Sequence, residues 1–141
     1  MPRVGLALAF AAALPCLVTA SADVALAKPF DCYPAIMPPA SYASKPFKGK
    51  VQYHYTTAKA IRQLNSRLTG MAAGNGYCDG PLALTVPEDN GSYDVYLPVD
   101  VSQKCKVALK FHEDAHAKGW EHGDPGSSYH TGICTNPATG R

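Results

Sequence analysis

The first regular pattern along the chain is an alternation of apolar and polar positions. Val51, Tyr53 and Tyr55 alternate with polar residues, which is the two-residue period of a half-buried strand. Residues 82–86 and 92–99 also favour strands, and the turn-forming residues between them predict a hairpin. The pattern therefore predicts three strands.

Between the first two predicted strands the pattern changes to a helical period. Apolar residues recur on one helical face at Ile61, Leu64 and Leu68. Thr56 or Thr57 can cap the start of this helix, and Gly70 follows its end. We therefore expect a first helix that ends near Leu68.

A second helix is predicted after the third strand. Asp100 or Ser102 can cap its start, and Gly119 can stop it. Its recurring positions are Cys105, Leu109, His112 and His116. The order strand, helix, strand, strand, helix indicates an α+β fold, with a small mixed sheet packed on two helices.

The two ends of this predicted core have a different composition. Residues 28–50 are rich in proline and predict an extended segment pinned at Cys32. Residues 123–141 are rich in Gly, Pro, Ser and Thr, so we expect an irregular C-terminal tail anchored by Cys134.

The place of residues 92–99 in the sheet bears on substrate binding. As an edge strand near the second helix, this segment could pair with an extended peptide through main-chain hydrogen bonds. Pro98 is easier to place on an edge than in a sheet centre. Plain pairing within the core is the alternative.

The second predicted helix carries the motif His-Glu-x-x-His, from His112 to His116. Residues four apart lie on one helical face, about 6 Å apart along the axis, so both imidazoles can reach one metal ion. Glu113 lies roughly 100° around the helix from His112, where its carboxylate can take a proton from a water molecule beside the metal. Glu113 is therefore the candidate general base.

A third ligand requires the helix to end. In a continuous helix, His122 would lie roughly 9 Å beyond His116, far outside a zinc–nitrogen bond of ~2.1 Å. Gly119 can adopt the left-handed conformation that ends helices, which lets the chain turn back and bring His122 to the metal. Three protein ligands and one open position are typical of catalytic zinc.

The stretch from His112 to His122 resembles the active-site helix of the metzincin clan of zinc metalloendopeptidases, and among them the small secreted bacterial members. The resemblance implies one zinc ion per chain, bound by His112, His116 and His122, with Glu113 as the base. This sequence departs from the clan in lacking an evident methionine turn, because its last methionine is Met71.

The third ligand has an alternative. Some small members of the clan use aspartate there, and Asp124 follows closely in Trp-Glu-His-Gly-Asp-Pro-Gly. The chain also resembles short exported bacterial proteins with a HExxHxxGW core and a ligand just before Pro-Gly, which favours Asp124. His122 is ranked first and Asp124 second.

The N-terminal residues predict export. Residues 1–27 combine a short basic start, an apolar run too short to span a membrane well, and small residues that allow cleavage after Ala22 or Ala27. We expect residues 1–27 to be a signal peptide, 28–50 the extended segment and 51–141 a metallopeptidase-like domain. The protein is then secreted or periplasmic in a bacterium, without stable membrane insertion.

Cysteine usage agrees with export. Outside the predicted signal peptide the cysteines are Cys32, Cys78, Cys105 and Cys134. An even number in a short exported chain predicts two disulfides, and the sequence leaves all three connectivities open. Free or metal-binding cysteines are the alternative.

The net charge of +2, without a long basic run, gives no sign of nucleic-acid binding. We therefore expect a monomer that acts on a peptide or protein substrate as a zinc-dependent metalloendopeptidase. The alternatives are an exported protein that binds zinc without proteolysis and a disulfide-stabilised interaction domain without metal. Tyr129 or His130 could approach the metal and stabilise an oxyanion.

Overall fold

A computed structural model describes residues 31–74, 79–129 and 133–135. Within them the helices are α1 (Ala58–Thr69) and α2 (Gln103–Ala117), and a 3-10 turn covers Ala40–Ala43. The strands are β1 (Asp31–Tyr33), β2 (Ile36–Met37), β3 (Val51–Thr56), β4 (Leu84–Pro87), β5 (Tyr93–Pro98), β6 (Ser128–Tyr129) and β7 (Ile133–Thr135). The predicted α+β class is confirmed. No helix among these residues is long and apolar enough to cross a bilayer.

The three longer strands form a mixed sheet in the order β3-β5-β4. β5 is parallel to β3 and antiparallel to β4, so the predicted hairpin of β4 and β5 is confirmed. The edge position considered for residues 92–99 is wrong, because β5 has a partner on both sides. Pro98 fits there as the last residue of β5, and the next N–H, from Val99, donates to the carbonyl of Thr56 at 2.8 Å.

The proline-rich segment and the tail pair with each other. β1 is antiparallel to β7, and β2 is antiparallel to β6. The expectation of an irregular tail is therefore wrong for β6 and β7. Each is only two or three residues long, and its pairing partner lies far away in the sequence, so local composition does not reveal it.

Two residues between β5 and α2 accept hydrogen bonds from the first turns of the two helices. Ser102 caps α2 by accepting a hydrogen bond from the N–H of Cys105 at 3.2 Å. Asp100, the other predicted cap, instead accepts from the N–H of Ala58 at 2.8 Å, at the first turn of α1. Thr57 is the cap of α1 itself. These bonds satisfy N–H groups that a helix start leaves without partners.

The core lies where α2 and the start of α1 meet β5. Its buried members come from β1, from both helices, from β5 and from the residues just before β4 and α2: Cys32, Ala58, Ala83, Val95, Leu97, Val101, Cys105 and Leu109. Complete burial of an aliphatic side chain contributes about 1.5–3 kcal/mol. Leu109 belongs both to this core and to the wall of the cleft described below, so the core fixes the helix face that carries the site.

A disulfide joins Cys32 of β1 to Cys105 of α2, with their Cα atoms 5.1 Å apart. It ties the proline-rich segment to the helix that carries the histidines. Cys78 lies outside the described residues, and of Cys134 only the backbone is described, with its Cα opposite that of Cys32 in the pairing of β1 with β7.

Removing this disulfide should destabilise the protein. The bridge closes a loop with a sequence separation of 73, and a disulfide that closes a loop of this length is expected to contribute about 4 kcal/mol by restricting the unfolded chain. We expect the double variant Cys32→Ala/Cys105→Ala to lose that amount of unfolding free energy in urea titrations followed by circular dichroism. An unchanged unfolding midpoint would contradict the assigned pairing.

Candidate metal centre

Helix α2 ends in a left-handed turn that returns the chain toward its own last residues. Gly119 has a φ of +88°, its N–H donates to the carbonyl of His116 at 2.8 Å, and the N–H of Trp120 donates to that of Ala115 at 2.9 Å. This pair of bonds is the Schellman motif, which needs a residue with positive φ at the glycine position. The turn predicted at Gly119 is therefore present.

The turn brings three histidines together. The Nε2 atoms of His112 and His116 are 3.3 Å apart, those of His116 and His122 are 3.2 Å apart, and those of His122 and His112 are 3.1 Å apart. These three side chains could hold a metal ion. His112 is buried, His116 is half-buried and His122 is exposed, so the group opens toward solvent on the side of His122.

Backbone carbonyls orient two of these rings. Nδ1 of His112 lies 2.8 Å from the carbonyl oxygen of Ile36, and Nδ1 of His116 lies 2.9 Å from that of Trp120. Because a carbonyl can only accept, each Nδ1 carries the proton and donates it. Each neutral ring then has its lone pair on Nε2, which faces the other histidines.

Burial keeps these rings neutral. Burial, together with the smaller effect of the neighbouring His116, lowers the pKa of His112 to about 4. The pKa of His116 is also lowered, again chiefly by burial. Neutral rings with converging lone pairs repel one another, whereas a cation between them would be attracted to all three. The arrangement could therefore hold a cation.

Trp120 packs against the group. Its side chain is fully buried, and its ring centroid lies 5.0 Å from that of His112, 4.7 Å from that of His116 and 5.1 Å from that of His122. The indole Nε1 donates to the hydroxyl of Ser127 at 2.9 Å. Trp120 therefore packs against the three histidine rings. Through Ser127 it also connects the turn at Gly119 to the loop that follows.

Asp124, the alternative third ligand, does not belong to the group of three. Its Oδ2 accepts a hydrogen bond from the N–H of Glu121 at 3.0 Å, and its own N–H donates to the carbonyl of Glu121 at 3.0 Å. The hydroxyl of Tyr42 lies 3.5 Å from the same Oδ2. Asp124 thus closes the loop that carries His122.

Tyr129 supports that loop from the other side. Its hydroxyl donates to the backbone carbonyl of His122 at 2.8 Å. The hydroxyl is therefore used to hold the backbone of a histidine of the site, and not for the oxyanion contact considered from the sequence. His130, the other residue considered for that contact, lies outside the described residues.

Glu113 lies next to the histidines with its side chain only 5% exposed. Burial raises the pKa of its carboxyl to about 7, while a hydrogen bond from Thr85 acts in the opposite direction. Thr85 Oγ1 lies 2.8 Å from Glu113 Oε2. A carboxyl group that titrates near neutrality is well suited to accept and return a proton.

A cleft of about 1000 Å³ opens beside the group. Residues 33–36 and residues 80–85 line it, together with Leu109, His112, Glu113 and His116 of α2. The segment 80–85 leads into β4, which is an edge strand of the sheet. The histidines and Glu113 are therefore accessible from a groove with the edge strand beside it.

No sequence pattern pointed to Thr85 or to the carbonyl of Ile36, because both come from elements remote from α2 in the chain. Comparisons with protein-family models, with curated proteins and with solved structures found no match. The resemblance to metzincins therefore rests on the motif from His112 to His122.

Proposed function

We propose that this protein is an exported zinc-dependent metalloendopeptidase, with His112, His116 and His122 as zinc ligands and Glu113 as general base. The observation that carries the proposal is the convergence of three Nε2 atoms, 3.1 to 3.3 Å apart, at a cleft that the buried Glu113 also lines. Three imidazoles with an open position are typical of catalytic zinc.

The spacing of the nitrogen atoms supports zinc. In a tetrahedral site with zinc–nitrogen bonds of ~2.0–2.1 Å, neighbouring ligand atoms are separated by about 3.3 Å. The three observed separations agree with that value. Imidazole nitrogen also suits zinc far better than calcium or magnesium, which bind oxygen ligands.

A zinc ion in such a site supplies Lewis acidity, which polarises a carbonyl oxygen and lowers the pKa of a water molecule. Glu113 would accept the proton of the attacking water and return it to the departing amine. The edge strand β4 offers main-chain groups with which an extended peptide could pair across the cleft. This arrangement favours hydrolysis within a peptide chain.

Export is supported by two features of the chain. Residues 1–27 have the composition of a signal peptide, and the disulfide between Cys32 and Cys105 is compatible with an oxidising compartment. We therefore place the activity outside the bacterial cytoplasm, on a peptide or protein substrate.

The proposal is tested with purified protein reconstituted with zinc. We expect about one zinc per chain and cleavage of a mixed peptide library that stops with 1,10-phenanthroline and returns when zinc is restored. Zinc binding without cleavage would favour the non-proteolytic alternative. Less than about 0.2 zinc per chain after reconstitution would favour the interaction domain without metal.

A further inference from the structure

We propose that Thr85 is a positioning residue for peptide hydrolysis: its hydroxyl, on edge strand β4, holds one carboxylate oxygen of Glu113 and leaves the other for proton transfer. This inference rests on the proposed function and deepens it. It gives edge strand β4 a role in catalysis in addition to lining the cleft.

The contact joins two elements far apart in the chain. Thr85 Oγ1 donates to Glu113 Oε2 at 2.8 Å and also lies 3.0 Å from the backbone carbonyl oxygen of Glu113. Within residues 31–74 and 79–129, Oε1 of Glu113 has no hydrogen-bond partner. Both Thr85 and Glu113 line the cleft.

This geometry restricts the glutamate strongly. A glutamate side chain has several rotatable bonds, and fixing it in one conformation costs about 1.5–2 kcal/mol of conformational entropy. The hydrogen bond from Thr85 helps to offset this cost. Thr85 is β-branched and its own rotamer is restricted, so its hydroxyl is a rigid anchor. With Oε2 engaged, Oε1 is the oxygen available to a water molecule in the cleft.

A purely structural role for the hydroxyl is the competing explanation, because it also contacts the helix backbone. The chain offers a matched control on the next residue of α2. The hydroxyl of Tyr53 donates to Asp114 Oδ1 at 2.8 Å, on a part of the helix that does not line the cleft. Tyr53→Phe removes the same kind of hydroxyl–carboxylate bond without touching Glu113.

The test compares Thr85→Val and Thr85→Ala with Thr85→Ser, using zinc-loaded protein and a quenched fluorogenic peptide that the wild type cleaves. We expect kcat to fall about 10-fold in the valine and alanine variants, with KM and zinc content unchanged. Thr85→Ser should restore most of kcat, because it keeps the hydroxyl. Tyr53→Phe should keep the wild-type kcat.

Several results would overturn the inference. The inference would be wrong if Thr85→Val had a wild-type kcat, if it lost zinc, or if only its KM rose. It would also be wrong if Thr85→Ser were as slow as Thr85→Ala, or if kcat fell equally in Tyr53→Phe. If Glu113→Gln is inactive while the Thr85 variants are normal, only the role of Thr85 fails. If the wild type shows no chelator-sensitive cleavage, the proposed function fails with it.

Discussion

Glu113→Gln should keep its zinc and lose peptide hydrolysis by about 10²- to 10⁴-fold in kcat, the range expected when a general base is removed. Glutamine has nearly the same size and shape as glutamate, and it can still accept the hydrogen bond from Thr85. It cannot take a proton from water at neutral pH. The three Nε2 atoms that would bind zinc belong to other side chains, so the metal should remain.

The measurement is kcat on a quenched fluorogenic peptide, with zinc content determined on the same sample. Asp114→Asn is the matched control, because it neutralises the adjacent carboxylate of the same helix. Asp114 is bonded to Lys110 and Tyr53 and does not line the cleft, and its charge is only the smallest of the causes that shift the pKa of Glu113, so this variant should hydrolyse the peptide at a rate comparable with the wild type. A Glu113→Gln protein with full activity would exclude Glu113 as the base.

Features set by local sequence were predicted well. The cap of α1 at Thr57, its end at Gly70 and the turn at Gly119 each depend on residues within a few positions of one another. The helical spacing of His112 and His116, together with a glycine that ends the helix, was enough to predict that His122 returns to them. The residues that determine each of these features lie close together in the sequence.

Features that depend on pairing between distant segments of the chain were not predicted from the sequence. β5 lies in the centre of the sheet because β3 and β4 both pair with it, and nothing in residues 92–99 indicates two partners instead of one. The short strands β6 and β7 exist because β1 and β2 offer them backbone partners. The support of the site by Ile36 and Thr85 follows from the same long-range packing.

The proline-rich segment thereby takes part in the site. Its β1 is joined to α2 by the disulfide at Cys105, and the carbonyl of Ile36, a few residues later, fixes the tautomer of His112. Outer partners of this kind typically contribute 10–100-fold to metal affinity. A segment that composition describes only as extended thus orients a side chain of the candidate metal centre.

The third ligand can be decided by comparing His122→Ala with Asp124→Asn. We expect His122→Ala to weaken zinc binding by on the order of 100-fold or more, because the loss of a ligand should exceed the 10–100-fold effect of losing an outer partner. Asp124→Asn should bind zinc nearly as the wild type does, because Oδ2 of Asp124 is used by the N–H of Glu121 and an asparagine oxygen can also accept that bond.

Zinc affinity is measured by competition with a chromophoric chelator, and His54→Ala is the matched control. His54 lies 3.2 Å from the carboxylate of Asp94 and stacks on Tyr96, away from the three histidines. The His54→Ala variant loses an imidazole that is not one of the three candidate metal ligands. Wild-type affinity in His122→Ala, with a large loss in Asp124→Asn, would mean that the loop rearranges to bring the carboxylate to the metal. The outcome therefore tests whether the turn at Gly119 fixes the ligand geometry before the metal binds.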